Sequence, residues 1–360
     1  MKSATSIWSR LGDLAGLVAT PLVPSHYVEL VRPLAATHTR RARVEAVRRE
    51  TADSRTLVLR PGRGFARHRA GQHVRVTVEI DGRLATRTYS ITSPPERRDG
   101  RIEITVKAQP GGRVSRALVH GIAPGAYVSL GLPDGDFVLP EGALPPALLV
   151  TAGSGITPVM AMLRSLAARG ALPDIAHVHF ARTAADVIFG AELYALAAAH
   201  PRYRLTIVHT AVDPRRMDRA RLDELVADWR ERQTWACGPT RLIDAVTACF
   251  AEAGRTGALH VERFAAVLAA PPADATGGVV RFGASATRTR SDGRTPLLQI
   301  AESAGVLARH GCRMGICHSC DTTLLAGRVR DLRTGEEISE PGTRVQICVC
   351  AAAGDVDLDL

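Results

Sequence analysis

Cys312, Cys317 and Cys320 fall in one short run, Cys-Arg-Met-Gly-Ile-Cys-His-Ser-Cys, and Cys348 follows in Val-Gln-Ile-Cys-Val-Cys. This C-x4-C-x2-C…C spacing offers three thiols from one tight loop and a fourth from a distant segment. A [2Fe–2S] cluster needs that arrangement, because its two irons require four thiolates at fixed directions. Gly315 lets the loop wrap closely, since glycine accepts positive φ without a Cβ clash, and Ser319 keeps it thin. A zinc site would favour paired C-x2-C knuckles, and only Cys317 and Cys320 form one. Cys350 competes with Cys348 for the fourth position, because residues two apart share a strand face if the strand continues through both. Seven cysteines, clustered as these are, do not make a secreted disulfide scaffold. Cluster thiolates imply a reducing compartment, so a cytoplasmic location is expected.

Further upstream are residue types suited to phosphates and flat rings. In Arg87-Thr88-Tyr89-Ser90 a guanidinium suits a phosphate and a phenol ring suits an isoalloxazine. Strand alternation puts Arg87 and Tyr89 on one face, Thr88 and Ser90 on the other. Gly111-Gly112-Arg-Val-Ser115 opens a short helix, read as Ser115 to His120 with the serine as its cap, whose free N–H groups can hold a pyrophosphate. Thr151-Ala-Gly153-Ser-Gly155-Ile-Thr157-Pro158 follows an apolar strand and precedes a helix, the layout of a nucleotide site. It is not the G-x-G-x-x-G fingerprint. Arg182-Thr183 lies just past the strand His177–Ala181, where open α/β sheets bind ligands; Arg182 suits a 2′-phosphate, which leans toward NADPH over NADH. Cys237-Gly238-Pro239 ends another strand, with a helix from Thr240.

Taken in this order, the motifs resemble the ferredoxin–NADP reductase superfamily. Arg87, Tyr89 and Ser90 match its R-x-Y-S signature, Gly112 and Ser115 its pyrophosphate turn, Thr151 to Pro158 its T-A-G-S-G-I-T-P turn, and Cys237 to Pro239 its C-G-P motif. The resemblance implies that Cys237 flanks the nicotinamide and that Ser90 hydrogen-bonds the flavin N5, making these two the catalytic candidates. It also implies that Glu262 and Phe264 approach the flavin. The last eighty or so residues are similar to plant-type ferredoxins: Arg294–Gly305 as the helix before the cluster loop, Gly327–Asp331 as the turn after it, and Asp355–Leu360 as the closing strand. That resemblance favours Cys312, Cys317, Cys320 and Cys348 as the metal ligands.

The elements that must position these groups divide the chain. Residues 1–40 form an apolar, proline-punctuated arm; Leu11, Leu14, Ala15 and Val18 lie at helical spacing, which suits a helix packed on the first domain or a patch touching a membrane or a membrane-bound acceptor. Residues 41–142 carry short alternating strands with a turn at Asp81-Gly82, an antiparallel β-barrel for the flavin. Residues 143–266 alternate strands and helices around a parallel sheet, with one helix beginning at Asp186. Residues 267–278, rich in Pro and Gly, form a linker, and 279–360 a ferredoxin domain of β-grasp type, as the resemblance implies.

The net charge of +10 rests on arginine, lysine occurring only at positions 2 and 107. No arginine run is interleaved with aromatics, so a nucleic-acid binder is not expected. The expected protein is multidomain and passes electrons from NADPH or NADH through FAD (or FMN) and a [2Fe–2S] cluster. Its expected acceptor is an oxygenase, hydroxylase or fatty-acyl desaturase. Two other readings stand beside it: a carrier or redox-sensing module without flavin turnover, and a stand-alone reductase of a small substrate.

Overall fold

The computed structural model describes residues 34, 40–170, 172–264, 268, 272, 275–311, 313–315 and 318–360. The expected arm helix and half of the linker lie outside these residues, as do Cys312 and Cys317. Strands β1 (Arg41–Arg49), β2 (Ser54–Pro61), β3 (His73–Ile80), β4 (Arg83–Ser90), β5 (Ile102–Lys107) and β6 (Tyr127–Leu130) form one antiparallel sheet, in the order β4-β3-β6-β1-β2-β5. A bridge between Ile91 and Ile104 joins its two ends, closing a barrel around Val44, Leu57, Val76 and Ile104. Asp81 and Gly82 both take positive φ in a two-residue hairpin, with Ile80 opposite Arg83, as that dipeptide favours.

The short helix α1 (Arg113–Arg116) begins two residues earlier than the sequence suggests and runs on as a wider turn over Ala117–Gly121. Gly112 is its N-cap, and Ser115 does not cap it. The Ser115 hydroxyl instead accepts from the Gln109 N–H at 3.1 Å and donates to the Gly112 carbonyl at 3.3 Å, closing the glycine turn on itself. No side chain fits at Gly112, where a Cβ would lie 2.5 Å from the Ser115 Oγ.

The second domain carries a parallel sheet of β7 (Ala147–Ala152), β8 (Ile175–Ala181), β9 (Tyr203–His209), β10 (Gln233–Cys237) and β11 (Leu259–Glu262), in the order β11-β10-β7-β8-β9. Helices α2 (Ile156–Ala168), α3 (Gly190–Ala199), α4 (Arg219–Leu225) and α5 (Thr240–Glu252) connect them. The order reverses between β7 and β10, so the crevice for a ligand opens above their C-terminal ends, where Gly153–Gly155 and Gly238-Pro239 lie. The helix expected from Asp186 starts only at Gly190. Asp186 and Thr183 cap a single short turn, and Phe189, held in the core, takes a left-handed φ of 61° that breaks the helical run.

The third domain has the mixed order β13-β12-β17-β14-β15, with β16 also on β14. Its elements are β12 (Val279–Phe282), β13 (Thr287–Arg290), α6 (Leu297–Ser303), β14 (Asp321–Asp331), β15 (Glu337–Ile338), β16 (Arg344–Gln346) and β17 (Cys350–Leu358). Gly327–Asp331 is no turn. It lies within β14, where Gly327, at φ +89°, sits at a register shift against β17. A Cβ there would meet the Asp355 carbonyl at 2.0 Å, so this glycine serves close backbone approach rather than chain reversal.

Domain contacts are both apolar, with Ala70 and Phe137 of the first domain packed into the second domain's core, and polar. Arg164 on α2 grips Glu192 with two hydrogen bonds (2.7 and 2.6 Å) and reaches the barrel's Thr92 carbonyl (2.8 Å) and Glu103 (3.2 Å). Burial alone would raise the Glu103 carboxyl, but Arg48, Arg97 and Arg164 outweigh it and hold the group below its ordinary value. Its contribution is therefore present above the unfolded value near ~4.3 and lost as pH falls through the lower folded one. Arg164→Met is expected to cost about 2 kcal/mol, less than a fully stranded buried charge because Glu103 keeps two arginines. Urea unfolding checks this, and the loss should shrink as pH falls through the lowered folded value of Glu103. The cluster loop touches the barrel directly through Arg75 Nη1, 3.0 Å from Ser319 Oγ.

Candidate functional site

All three domains meet around one cavity of about 760 Å³. Arg87, Thr88, Tyr89 and Ser90 of the barrel line it together, though strand alternation sends them to opposite faces. The reason is topological: β4 is an end strand laddered only to β3, and Thr105 and Lys107 of β5 line the same space. Gly112 and Ser115 add the glycine turn, while Gly153, Gly155, Thr157, Gly238 and Pro239 add the two turns of the parallel sheet. From the ferredoxin domain come Leu298, Gln299, Arg313, Met314 and Cys348.

The lining is incomplete without a polar ligand. The Thr88 and Ser90 hydroxyls are buried and have no hydrogen-bond partner among the described residues. Leaving such groups unpaired costs ~1–3 kcal/mol each. Arg87 donates to the Thr86 carbonyl at 2.7 Å and has no carboxylate partner among the described residues. Burial pushes its guanidinium below the usual arginine value, with Arg313 adding to the effect, so an anion there would relieve it. Burial also raises the Tyr89 phenol, keeping it neutral. The ring, hydroxyl and guanidinium fit a flavin and its phosphate.

At the sheet crevice, Gly155 is placed by contact rather than by φ. A Cβ there would stand 2.1 Å from the Cys237 carbonyl oxygen, so the two turns pack backbone to backbone. The Thr157 hydroxyl donates to the Ser154 carbonyl at 2.9 Å, tightening the first turn.

Five of the flavin and nucleotide candidates do not line the cavity. Thr151 is fully buried, and its hydroxyl lies 2.8 Å from both His177 Nε2 and His179 Nδ1. His177 continues to the Tyr203 hydroxyl at 2.7 Å. Burial depresses both imidazoles, His179 to about 4, so this network is neutral and belongs to the sheet interior. Cys237 shares a register row with Thr151 and is also fully buried; burial, then Glu262, raises its thiol, leaving a poor nucleophile. Arg182 and Thr183 sit beyond β8, Thr183 bonded to Asp186 at 2.7 Å and Arg182 exposed, with no carboxylate partner among the described residues. Phe264 lines the cavity, whereas Glu262 faces His73 at 3.5 Å.

For a cluster, the described residues supply Cys320 and Cys348, both buried and within hydrogen-bonding reach of each other. That bond brings the Cys320 thiol down to about 7, into the range where it ionises at neutral pH. Gly315 takes φ +71°, and its carbonyl accepts from Arg333 Nη1 at 2.8 Å, with Arg333 held by Asp331 at 2.6 Å. This geometry fits thiolate ligation of iron. Cys348 lies in the turn before β17, not in the strand, so the shared-face argument for Cys350 does not hold. Cys350 opens β17 within the domain core.

The sequence reading missed Gln299 and Arg313 altogether. Their approach to the cavity depends on how the third domain docks, and nothing near them in the chain signals it.

Three families match in series: an oxidoreductase FAD-binding domain over residues 42–139, an oxidoreductase NAD-binding domain over 149–248, and a 2Fe-2S iron-sulfur cluster binding domain over 282–353. The chain thus belongs to the flavin- and NAD-binding oxidoreductases that carry a C-terminal plant-type [2Fe–2S] domain. A protein named NADPH oxidoreductase from Mycobacterium tuberculosis (strain H37Rv) is 48% identical over 98% of this chain and 93% of its own. The glycine betaine monooxygenase reductase subunit of Chromohalobacter salexigens is 31% identical over 72% of this chain and 77% of its own. Among solved structures, phthalate dioxygenase reductase is 25% identical, with a TM-score of 0.64 over 90% of this chain and 98% of its own. The barrel, parallel sheet and mixed sheet match that architecture, and the domains supply FAD, NAD(P)H and [2Fe–2S] as cofactors.

Proposed function

We propose that this chain takes electron pairs from NADPH and delivers single electrons to a protein acceptor: an oxygenase, hydroxylase or fatty-acyl desaturase. The observation that carries the reading is the shared cavity, in which flavin-type residues, both nucleotide turns and Cys348 line one space. When bound, a flavin accepts two electrons together and passes them on singly. Arg87, with the turn of Gly112 and Ser115, holds its phosphate, Tyr89 backs the ring, and Thr88 and Ser90 offer their unpaired hydroxyls, Ser90 toward N5. Gly153, Gly155, Thr157, Gly238 and Pro239 shape the nucleotide crevice, with Thr151 and Cys237 supporting it from below. Arg182 and Thr183 are the residues for a 2′-phosphate. Cys312, Cys317, Cys320 and Cys348 hold the cluster.

The unpaired hydroxyls at Thr88 and Ser90 speak against an empty flavin site. Oxygenase reductases among the relatives support a protein acceptor. Among the described residues no helix is long and apolar enough to cross a membrane. A cytoplasmic location accords with reduced thiolates.

The test is an anaerobic optical spectrum of the purified protein before and after NADPH. Flavin and iron–sulfur bands should bleach together. A colourless, zinc-loaded protein, or bands indifferent to NADPH, would end the proposal.

A further inference from the structure

Arg87 and Arg313 come from different domains and line the same cavity. Arg87 stands on β4 of the barrel, while Arg313 belongs to the cluster loop of the ferredoxin domain. Arg313 pairs with Glu302 on α6, and its Nη2 lies 3.2 Å from His310 Nε2. Its Nε is buried and has no hydrogen-bond partner among the described residues. Two guanidiniums lining one space repel each other, and Glu302 pairs with only one of them, Arg313. A dianionic pyrophosphate between them would satisfy the free Nε, neutralise Arg87 and remove the repulsion.

We propose that Arg313 is a second arm of the flavin-phosphate site, so that the cofactor itself clasps the ferredoxin domain to the barrel. The inference rests on the flavin reading above and extends it. A nicotinamide nucleotide carries the same phosphate chemistry and approaches the same cavity from the Gly153–Gly155 side. The flavin phosphate is the better match because Arg87 and the Gly112–Ser115 turn sit on the flavin domain with the unpaired hydroxyls. Delivery gains from this clasp: a chain with an empty flavin site has a looser third domain, and filling the site draws the cluster loop toward the cavity.

The experiment uses the full-length protein, stripped of flavin and titrated with FAD by fluorescence quenching, alongside binding of NADP⁺. Arg313→Met should weaken FAD roughly 10- to 100-fold, the range for losing a charge-assisted bond to phosphate. Arg313→Lys should recover part of that affinity, and the difference from wild type should shrink as salt rises. Visible circular dichroism of the iron–sulfur bands reports whether the loop is intact. Should Arg313→Met lose the cluster, Glu302→Gln gives an independent reading from α6: freeing Arg313 from its carboxylate should tighten FAD severalfold. Unchanged FAD affinity in Arg313→Met with the cluster intact overturns the clasp and leaves the flavin assignment standing. So does a change confined to NADP⁺, or, where the methionine variant has no cluster, a Glu302→Gln variant that fails to tighten. Failure of the wild-type chain to bind any flavin overturns both readings.

Discussion

Replacing Cys348 with serine is expected to give a protein that keeps its flavin, reduces ferricyanide with NADPH close to the wild-type rate, and delivers nothing to a one-electron protein acceptor such as cytochrome c. The thiolate, not the thiol, is what binds metal. Cys348 lies against Cys320 and lowers that thiol to about 7, so the pair is poised to ligate; a serine hydroxyl ionises far less readily. Cys350 is the informative control. It is 1% exposed in the domain core, and burial pushes its thiol up to about 12, which keeps it neutral. Cys350→Ser should retain the cluster and lose ~1–3 kcal/mol for burying a hydroxyl in an apolar site. Iron content and the electron paramagnetic resonance signal of the reduced protein check both. A cluster kept in Cys348→Ser and lost in Cys350→Ser would reverse the assignment.

The second large effect is expected at Gly155. An alanine Cβ would lie 2.1 Å from the Cys237 oxygen, 2.5 Å from its carbonyl carbon and 2.8 Å from the Gly238 nitrogen. All three are backbone atoms, so no rotamer change relieves the clash. The turns after β7 and β10 must separate at the point where the sheet order reverses. Overpacking of this kind costs ~1–3 kcal/mol. Misplacing a bound reactant by about 1 Å costs on the order of 100-fold in rate, so NADPH-driven dye reduction should fall by about that factor. Flavin content should stay near wild type, because no barrel residue moves. Gly153→Ala is the contrast: its φ of +52° is strained for alanine, but its Cβ meets nothing within 4 Å, so it should cost only ~1–2 kcal/mol and spare most activity. Thermal unfolding, flavin-to-protein ratio and steady-state rates of the two variants separate these outcomes. Equal activity in both would remove the close-packing argument.

Where local chemistry decides, the sequence was a sufficient guide. The run Ala147–Val150 is apolar throughout and became a strand buried on both faces, and Asp81-Gly82 became a tight hairpin with both residues at positive φ. It was a poor guide where packing overrides local preference. Asp186 to Leu193 reads as helix, yet the core claims Phe189 and forces it left-handed. Gly327 reads as a turn marker, yet it serves a register shift inside β14. Thr151 and Cys237 read as cofactor contacts because they open motifs shared with the superfamily, but both side chains are buried beneath the crevice, where Thr151 meets His177 and His179.

By itself the sequence determined the cofactor types and the order of the domains. Thiol spacing, an arginine before a tyrosine, and glycines between strand and helix are short-range features whose chemistry does not depend on the rest of the chain. Only the tertiary structure decided that Arg87, Gly112, Gly155, Arg313 and Cys348 surround a single cavity. That meeting arises from contacts between domains far apart along the backbone, such as Arg164 with Glu103 and Arg75 with Ser319, and such contacts leave no periodicity or spacing to read.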